Sequence, residues 1–389
     1  MKKIYLISYY FAPLGRADGV NRAYMVKYLA EAGWDIEVIS CENPHGFIRN
    51  FQKDPSLLDI IPSDVKLHRV KSKYWGPIGG IAELTGIIDD CFRNWISNTI
   101  NAADTIIKEP GFIYAIVPPI TNAKIAAQIA IRKKMPLVID FRDDDFNLNP
   151  SIVQKASTII ASTEISLKNM KEYYKVNNLK GTVIYNGYAI DILPELIHAK
   201  QSEREQFRII YTGLLNLDQD PAMLARAVRH MEYKYPQKKN KVVVDYYGPK
   251  NFYTHLFLRK YLSENILFHG YVPFQKALAA IAQADIAYTS LKDNKNAYCI
   301  PSKIFQYIAM GTPVLGSGPH GALENFILKN QFGRYSLSDD IDAQAEDIYH
   351  FLRNQNEKIV IGNNIQQRKT QFSMKSQIEK LSKHLTCLR

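Results

Sequence analysis

The sequence predicts an α/β protein in which two parallel sheets, each doubly wound by helices, form separate domains. Short runs rich in Val, Ile and Tyr alternate with amphipathic segments along most of the chain, a pattern typical of βαβ units. The alternation stops at 191–205, a polar stretch without strand character, and then starts again. With 389 residues, the chain also exceeds the roughly 100–200 residues of one typical domain. We expect domains at 1–190 and 206–365, a linker at 191–205, and a final helix at 366–389 that could pack back on the first domain.

The first domain opens as strand, glycine-bearing loop, helix and strand. Its predicted strands are 3–11, 35–41, 113–119, 136–143, 156–164 and 181–188, and its predicted helices are 21–33, 121–134 and 165–174. Gly33 follows the first helix as a typical C-terminal stop, and Thr121 or Asn122 is the expected cap of the second helix. Helices between consecutive strands indicate a parallel sheet.

The second domain repeats this alternation. Its predicted strands are 207–213, 241–248, 266–272, 285–291 and 312–318, and its predicted helices are 220–235, 252–262, 273–284, 300–311 and 342–352. A last predicted helix, 373–385, lies in the tail that follows this domain. Asp220 is the expected cap of its helix, and Pro221 the first helical residue. Ligands of doubly wound sheets bind at the carboxyl ends of the strands, so two such domains facing each other predict a binding cleft.

Composition narrows the class of partner. Lys plus Arg number 49 and Asp plus Glu number 38, so the formal charge is 49 − 38 = +11, which favours anionic partners. Nucleic acid is not expected, because no dense Lys/Arg run is present. The four cysteines form no CxxC pair, so neither zinc nor a disulfide framework is indicated, and no apolar run reaches the about 18 residues of a membrane span. We expect a cytoplasmic protein, with the inner face of the membrane as an alternative.

A lysine stands at an unusual place in "IPSKIFQYIAMGTPVLGSG", residues 300–318. Pro301 and Ser302 mark the start of a helix, where free N–H groups and the helix dipole favour an anion. Lys303 has the wrong charge for that position unless something negative lies nearby. A bound phosphate or diphosphate would satisfy both the lysine and the dipole; a lysine that points into solvent is the alternative.

The same stretch resembles the donor-binding signature of GT-B glycosyltransferases, especially the family 4-like group. The matching residues are Pro301, Ser302, Lys303, Tyr307, Ala309, Gly311, Pro313 and Val314. The resemblance implies that Lys303 contacts the nucleotide diphosphate and that residue 306 contacts the ribose. Tyr298 and Gln306 stand where the family carries acidic residues, and Gln306 retains a hydrogen-bond acceptor without the charge.

Other passages resemble this family in the expected order. "FRIIYTG" ends at Gly213, which would let the backbone approach the donor phosphates. Many members carry an Arg and a Lys in the next loop, whereas "LLNLDQD" contains neither, so Lys303, Arg16 and Arg22 are the candidates to meet the diphosphate charge. The resemblance implies a donor-binding set of Gly15, Gly19, Gly213, Tyr298, Ser302, Lys303, Gln306 and Ser317.

The acidic stretch "DFRDDDF", 140–146, follows a strand of the first domain. Asp143 is a candidate catalytic residue that takes the proton of an acceptor hydroxyl, with Arg16 and Arg142 on the acceptor side. A solvated acidic turn is the alternative. We expect no metal at Asp143 and Asp145, because hard cations need several oxygen ligands and enzymes of the resembling fold generally work without an essential metal.

Residues 68–80, "HRVKSKYWGPIGG", combine lysines with Tyr74 and Trp75 and predict a peripheral membrane contact, with an ordinary loop as the alternative. The resemblance as a whole implies a glycosyltransferase that moves a sugar from a nucleotide sugar to a hydroxyl of a glycan or lipid-linked acceptor. It implies retention of configuration, no cofactor, and a place in bacterial surface-polysaccharide synthesis. A sugar-nucleotide epimerase of the same fold and a non-catalytic binding module remain as alternatives.

Overall fold

The computed structural model describes residues 2–15, 17–44, 53–72, 81, 85, 92–144, 146–189 and 206–388. The chain divides into two compact units. Unit 1 comprises Met1–Asn186 and Met374–Arg389, and unit 2 comprises Gly187–Ser373. Unit 2 therefore extends beyond the predicted boundary at 365, and the predicted linker at 191–205 lies outside the described residues.

Unit 1 contains one parallel sheet of seven strands. The strands are β1 (Lys3–Ser8), β2 (Asp35–Cys41), β3 (Lys66–Val70), β4 (Phe112–Val117), β5 (Leu137–Phe141), β6 (Thr158–Ala161) and β7 (Gly181–Val183). The helices are α1 (Ala17–Glu31), α2 (Arg93–Ile106), α3 (Ile120–Lys133), α4 (Pro150–Val153) and α5 (Glu164–Tyr173). The strand order is β3-β2-β1-β4-β5-β6-β7, so the chain changes direction across the sheet between β1 and β4. All residues of these two strands are buried, because helices cover both faces of a doubly wound sheet.

Unit 2 contains a second parallel sheet, of six strands. The strands are β8 (Phe207–Thr212), β9 (Val242–Tyr247), β10 (Ile266–Gly270), β11 (Ile286–Ser290), β12 (Val314–Gly318) and β13 (Gly333–Leu337). The helices are α6 (Ala222–Lys234), α7 (Phe274–Gln283), α8 (Lys303–Met310), α9 (Ala322–Asn330), α10 (Ile341–Arg353) and α11 (Gln355–Arg368). The order β10-β9-β8-β11-β12-β13 places the change of direction between β8 and β11.

The last helix, α12 (Met374–Thr386), belongs to unit 1 although unit 2 precedes it in the sequence. It packs against α1 and buries Leu381 and Leu385 completely. Ser382 Oγ accepts a 2.8 Å hydrogen bond from Trp34 Nε1, and Gln377 Oε1 accepts one of 2.9 Å from the backbone N–H of Tyr185. The helix thus contributes both buried apolar side chains and hydrogen bonds to unit 1.

Several elements differ from the sequence prediction. Strands β3 and β13 and helix α2 were not predicted. Both strands lie at sheet edges, and β3 buries only Val70, so neither shows the continuous apolar run of a central strand. The predicted helix at 252–262 is a π-helical turn, Thr254–Leu258, followed by a 3₁₀ turn, Arg259–Tyr261.

The predicted cap of α6 was also wrong. Pro221 occupies the cap position and makes no side-chain capping hydrogen bond, and Ala222 is the first helical residue. Asp220 has a positive φ of 36° and points its carboxylate elsewhere. Its oxygens accept hydrogen bonds from Tyr253 Oη, at 2.6 Å, and from Arg226 Nη2, at 2.7 Å.

The stretch predicted to contact a membrane is described only in part. Residues 68–70 belong to β3, and 73–80 lie outside the described residues. His68 Nε2 lies 2.8 Å from Glu37 Oε2, so this ring is engaged within the sheet. Across the described ranges, none of the helices has the length and apolar character needed to span a membrane.

Candidate ligand site at the carboxyl ends of β8 and β11

The candidate site lies in unit 2, where the order of the strands reverses. β8 ends at Thr212 and β11 ends at Ser290, and the two strands are neighbours. Gly213 follows β8 with φ of +105°, a conformation that side-chain-bearing residues rarely adopt. Its N–H donates to the Tyr247 carbonyl at 2.9 Å, so the turn is fixed to β9 as well. Open α/β sheets bind their ligands at such reversal points.

Tyr307 fixes helix α8 at this end of the sheet. Its hydroxyl accepts a hydrogen bond of 3.2 Å from the backbone N–H of Thr212 and donates one of 3.1 Å to the Tyr288 carbonyl. The residue is completely buried. Because Tyr307 lies one helical turn after Lys303, this anchor holds the amino-terminal end of α8 beside the turn at Gly213.

Lys303 is the first residue of α8, and its ammonium group lies in the interior of the unit. The side chain is 9% exposed. Its Nζ lies 2.6 Å from Gln219 Oε1 and 3.6 Å from the centroid of the Tyr211 ring. A Cβ on Gly213 would lie 3.7 Å from Nζ. The predicted neighbours Gly213 and Lys303 are therefore brought together.

The charge of Lys303 has no acidic partner. In the part of the chain that the structure describes, no carboxylate lies within ion-pair distance, 4.0 Å, of its Nζ. Burial lowers the pKa of Lys303 well below the ordinary lysine value, because the charged form loses its hydration. A buried cation with only a neutral amide and an aromatic ring beside it is a place where an anion would be strongly favoured.

The other predicted residues of α8 and its preceding loop lie close by in sequence and are half-buried. Ser302 stands directly before the helix, and Gln306 follows Lys303 by about one turn, on the same side. Tyr298 lies in the loop between β11 and α8. The donor-binding roles of these three residues remain predictions.

Ser317 is placed differently from the other predicted donor residues. It lies within β12, is completely buried, and its Oγ points to Met223 Sδ at 3.7 Å. A ligand at this edge of the sheet could meet the backbone at 317 but not the hydroxyl. The predicted donor-binding role of Ser317 remains a prediction, and its hydroxyl is directed into the core.

Two residues of the site were missed by the sequence reasoning. Tyr211 ends up under the Lys303 ammonium, and its Oη lies 2.6 Å from Gln219 Oε1. Gln219 lies in the loop "LLNLDQD", which drew attention only for its lack of cations. The absence of Lys and Arg from this loop was the available signal, because it leaves only polar and acidic side chains there as partners for Lys303.

In unit 1, the predicted glycines and Arg22 lie near the carboxyl end of β1. A Cβ on Gly19 would come within 2.1 Å of the Leu14 carbonyl oxygen, so close packing alone accounts for this glycine. Gly15 is exposed, and Arg16 lies outside the described residues. The Arg22 guanidinium is buried and donates to Ser8 Oγ, at 3.0 Å, and to the Tyr10 carbonyl, at 2.6 Å. These contacts fix Arg22 within unit 1.

Arg142, predicted on the acceptor side, is held by the protein itself. Its Nη2 lies 2.5 Å from Asp140 Oδ2, and its Nη1 donates to the Ile184 carbonyl at 3.0 Å. Asp140 is completely buried and also accepts a 2.7 Å hydrogen bond from Tyr114 Oη. Burial would lower the pKa of Arg142, but the adjacent Asp140 charge outweighs this and raises it. Arg142 is thus paired with Asp140 in unit 1, and its predicted place on the acceptor side remains a prediction.

Asp143 itself is exposed just after β5, and Asp145 lies outside the described residues. Asp144 accepts hydrogen bonds from Ser166 Oγ and, at 2.9 Å, from Asn169 Nδ2, which ties the turn to α5. Within the described ranges, no three His, Cys, Asp or Glu side chains gather as metal ligands would. The proton-accepting role of Asp143 remains a prediction.

Comparisons with known proteins establish the fold. No family model matches the chain, and neither does any curated protein. Solved structures match over the whole chain. The HepE protein of Anabaena in complex with UDP and glucose is 15% identical with a TM-score of 0.68, covering 100% of both chains. The α,α-trehalose-phosphate synthase (UDP-forming) of Burkholderia xenovorans in complex with glucose-6-phosphate is 12% identical with a TM-score of 0.72, covering 99% of this chain and 100% of that one. The prediction of two Rossmann-like domains of the GT-B type is confirmed.

Proposed function

We propose that this protein is a glycosyltransferase that moves a sugar from a nucleoside diphosphate sugar to the hydroxyl of an acceptor. The observation that carries the proposal is the buried Lys303 ammonium at the β8/β11 reversal point, which has no acidic partner among the described residues. An anion of two linked phosphates would supply the missing charge. UDP is the first nucleotide to test, because similar structures were solved with UDP and with UDP-glucose.

The proposed reaction assigns Lys303 to the leaving group. The bond between the anomeric carbon and the diphosphate oxygen breaks, and a new bond forms between that carbon and the acceptor oxygen. Negative charge develops on the departing diphosphate, where an ammonium in a water-poor site stabilises it most effectively. The acceptor hydroxyl loses its proton, and Asp143 remains the proposed base.

The finer parts of the proposal rest on the sequence resemblance. They are membership of the family 4-like group, retention of anomeric configuration, independence from an essential metal, a glycan or lipid-linked acceptor reached at a membrane surface, and a role in surface-polysaccharide synthesis. None of these parts is needed for sugar transfer itself, so any one of them could be disproved without changing the proposed donor site.

A donor screen tests the central proposal. The protein is heated with a panel of nucleoside diphosphates and their glucose conjugates, since a ligand that binds only the native state raises the apparent melting temperature. We expect the melting temperature to rise with the nucleotides of one base, and to stay unchanged with the corresponding nucleosides, which carry no phosphate. Incubation of that donor with and without a glycan acceptor then follows release of the nucleotide. If no nucleoside diphosphate or nucleotide sugar binds, the proposal is rejected.

Restoring the acidic residue at position 306 should strengthen the proposed ribose contact. Gln306→Glu exchanges a neutral acceptor for a carboxylate, and a charge-assisted hydrogen bond is worth about 1 kcal/mol more than a neutral one. The expected result is an affinity for UDP increased by about fivefold, measured by isothermal titration calorimetry.

The control for this prediction is the nucleotide rather than a second variant. The 2′,3′-dideoxy analogue of UDP has no ribose hydroxyls, so wild type and variant should bind it equally well. An equal gain with both nucleotides would mean that Gln306 acts elsewhere on the ligand, and a loss with both would contradict the proposed placement.

A further inference from the structure

The hydrogen-bond partner of Lys303, the Gln219 carboxamide, carries no formal charge. A carboxamide oxygen 2.6 Å from a buried ammonium satisfies one of its three donors but leaves its charge uncompensated. The Tyr211 ring adds a cation–π contact with Nζ 3.6 Å from the ring centroid. Neither contact competes strongly with a diphosphate for the ammonium group.

The loop holds Gln219 in place independently of its side chain. The Gln219 N–H donates to Asn216 Oδ1 at 2.9 Å, and Ser290 Oγ at the end of β11 donates to the Gln219 carbonyl. The neighbouring Asp218 carbonyl accepts a 2.8 Å hydrogen bond from the N–H of Lys292. The side chain therefore faces Lys303 because the backbone is fixed on both sides.

We infer that Gln219 is a positioning residue that holds Lys303 at the site in the unliganded protein and yields Nζ to the donor diphosphate. The inference rests on the proposed function, because it takes a diphosphate as the ligand of Lys303. It adds that residue 219 must be neutral. A carboxylate at the same place would pair with Lys303 permanently, and the ligand would then have to break a buried ion pair.

Gln219→Glu tests this requirement with two readouts that should move in opposite directions. We expect its melting temperature without ligand to rise, because the buried cation gains a partner. We also expect its affinity for UDP and for inorganic pyrophosphate to fall by at least about tenfold, because an opposite charge now competes with the ligand. Pyrophosphate is included since it reports on the phosphates without the base or ribose. A residue with a purely structural role would lower both readouts.

Two further variants complete the experiment. Gln237→Glu makes the same charge change at an exposed position before β9, away from the carboxyl ends of the strands, and should leave binding unchanged. Gln219→Met removes the hydrogen bond to Lys303 without adding a charge, so it should lower UDP affinity by only about threefold, clearly less than Gln219→Glu does. Unchanged affinity in Gln219→Glu, or a comparable loss in both 219 variants, overturns the inference while leaving the proposed function intact. A wild-type protein that binds neither nucleotide nor pyrophosphate overturns both.

Discussion

Lys303→Met is expected to reduce kcat/KM for sugar transfer by about 10²–10³-fold, because a single preorganised charge on a developing anion contributes on that scale. Methionine fills nearly the same volume and keeps contact with the Tyr211 ring, so packing changes little. The unliganded variant should be at least as stable as the wild type, since removal of a buried cation without an acidic partner removes its desolvation cost. Steady-state kinetics and calorimetric unfolding measure the two effects.

The same substitution makes a prediction about pH. Burial depresses the pKa of Lys303 in the folded protein, so the unfolded chain binds more protons at this residue. Wild-type stability should therefore rise relative to Lys303→Met as the pH increases from the depressed folded value toward the ordinary lysine value. A difference that is constant with pH would show that the ammonium is not desolvated in solution.

Lys329→Met is the matched control for both experiments. Lys329 lies exposed in α9 of the same unit, and its replacement removes one positive charge without touching the site. We expect kinetics and stability within about 0.5 kcal/mol of the wild type. Transfer that survives in Lys303→Met at the control level would remove Lys303 from the proposed mechanism.

Asp140→Asn is expected to destabilise unit 1 by about 2–4 kcal/mol, because it leaves the Arg142 guanidinium, whose side chain is only 18% exposed, without its counter-charge. Tryptophan fluorescence isolates this unit, since the three tryptophans at 34, 75 and 95 all belong to unit 1. Urea unfolding followed at those tryptophans should show an earlier transition. Donor binding, assigned to unit 2, should be retained.

Two further variants distinguish the loss of the Asp140–Arg142 pair from the loss of an ordinary surface charge. Asp104→Asn removes an acid that pairs with Arg132 at 2.7 Å on the surface, and should cost less than about 1 kcal/mol. The double variant Asp140→Asn/Arg142→Met should recover part of the loss, since the uncompensated cation is gone. If the double variant is destabilised by the sum of its single effects, Asp140 and Arg142 are not coupled as described.

The sequence was sufficient for the central elements of the fold. Strands such as β2 and β11 are short buried runs rich in Ile, Val, Ala and Tyr, and their predicted and observed ranges nearly coincide. The edge strand β3 could not be found in this way, because Lys66, His68 and Arg69 interrupt its pattern. The stretch at 252–262 has helical periodicity, yet the chain there forms π and 3₁₀ turns, a choice that periodicity alone cannot distinguish.

The site was predictable only where it depends on local sequence. Gly213 and Lys303 follow from a strand end and a helix start, and the structure brings them together. Gln219 and Tyr211 could not be assigned, because their contacts with Lys303 depend on how a loop closes over the sheet. The inward orientation of the Ser317 side chain could not be predicted, because every residue of β12 is buried and the strand pattern does not tell which side chain faces a helix.

The position of α12 has a consequence for how the protein is made. Residues 374–386 complete unit 1, but the ribosome produces them only after all 187 residues of Gly187–Ser373. Until then, the surface formed by α1 and Trp34 in the nascent unit 1 stays uncovered, because Leu381, Ser382 and Leu385 have not yet been made. Unit 2, which is continuous in sequence, can therefore finish folding first, against the usual N-to-C order of domain folding. A message that stops shortly before codon 374 would yield a complete second unit and a first unit with an exposed apolar seam, a natural target for chaperones and proteases.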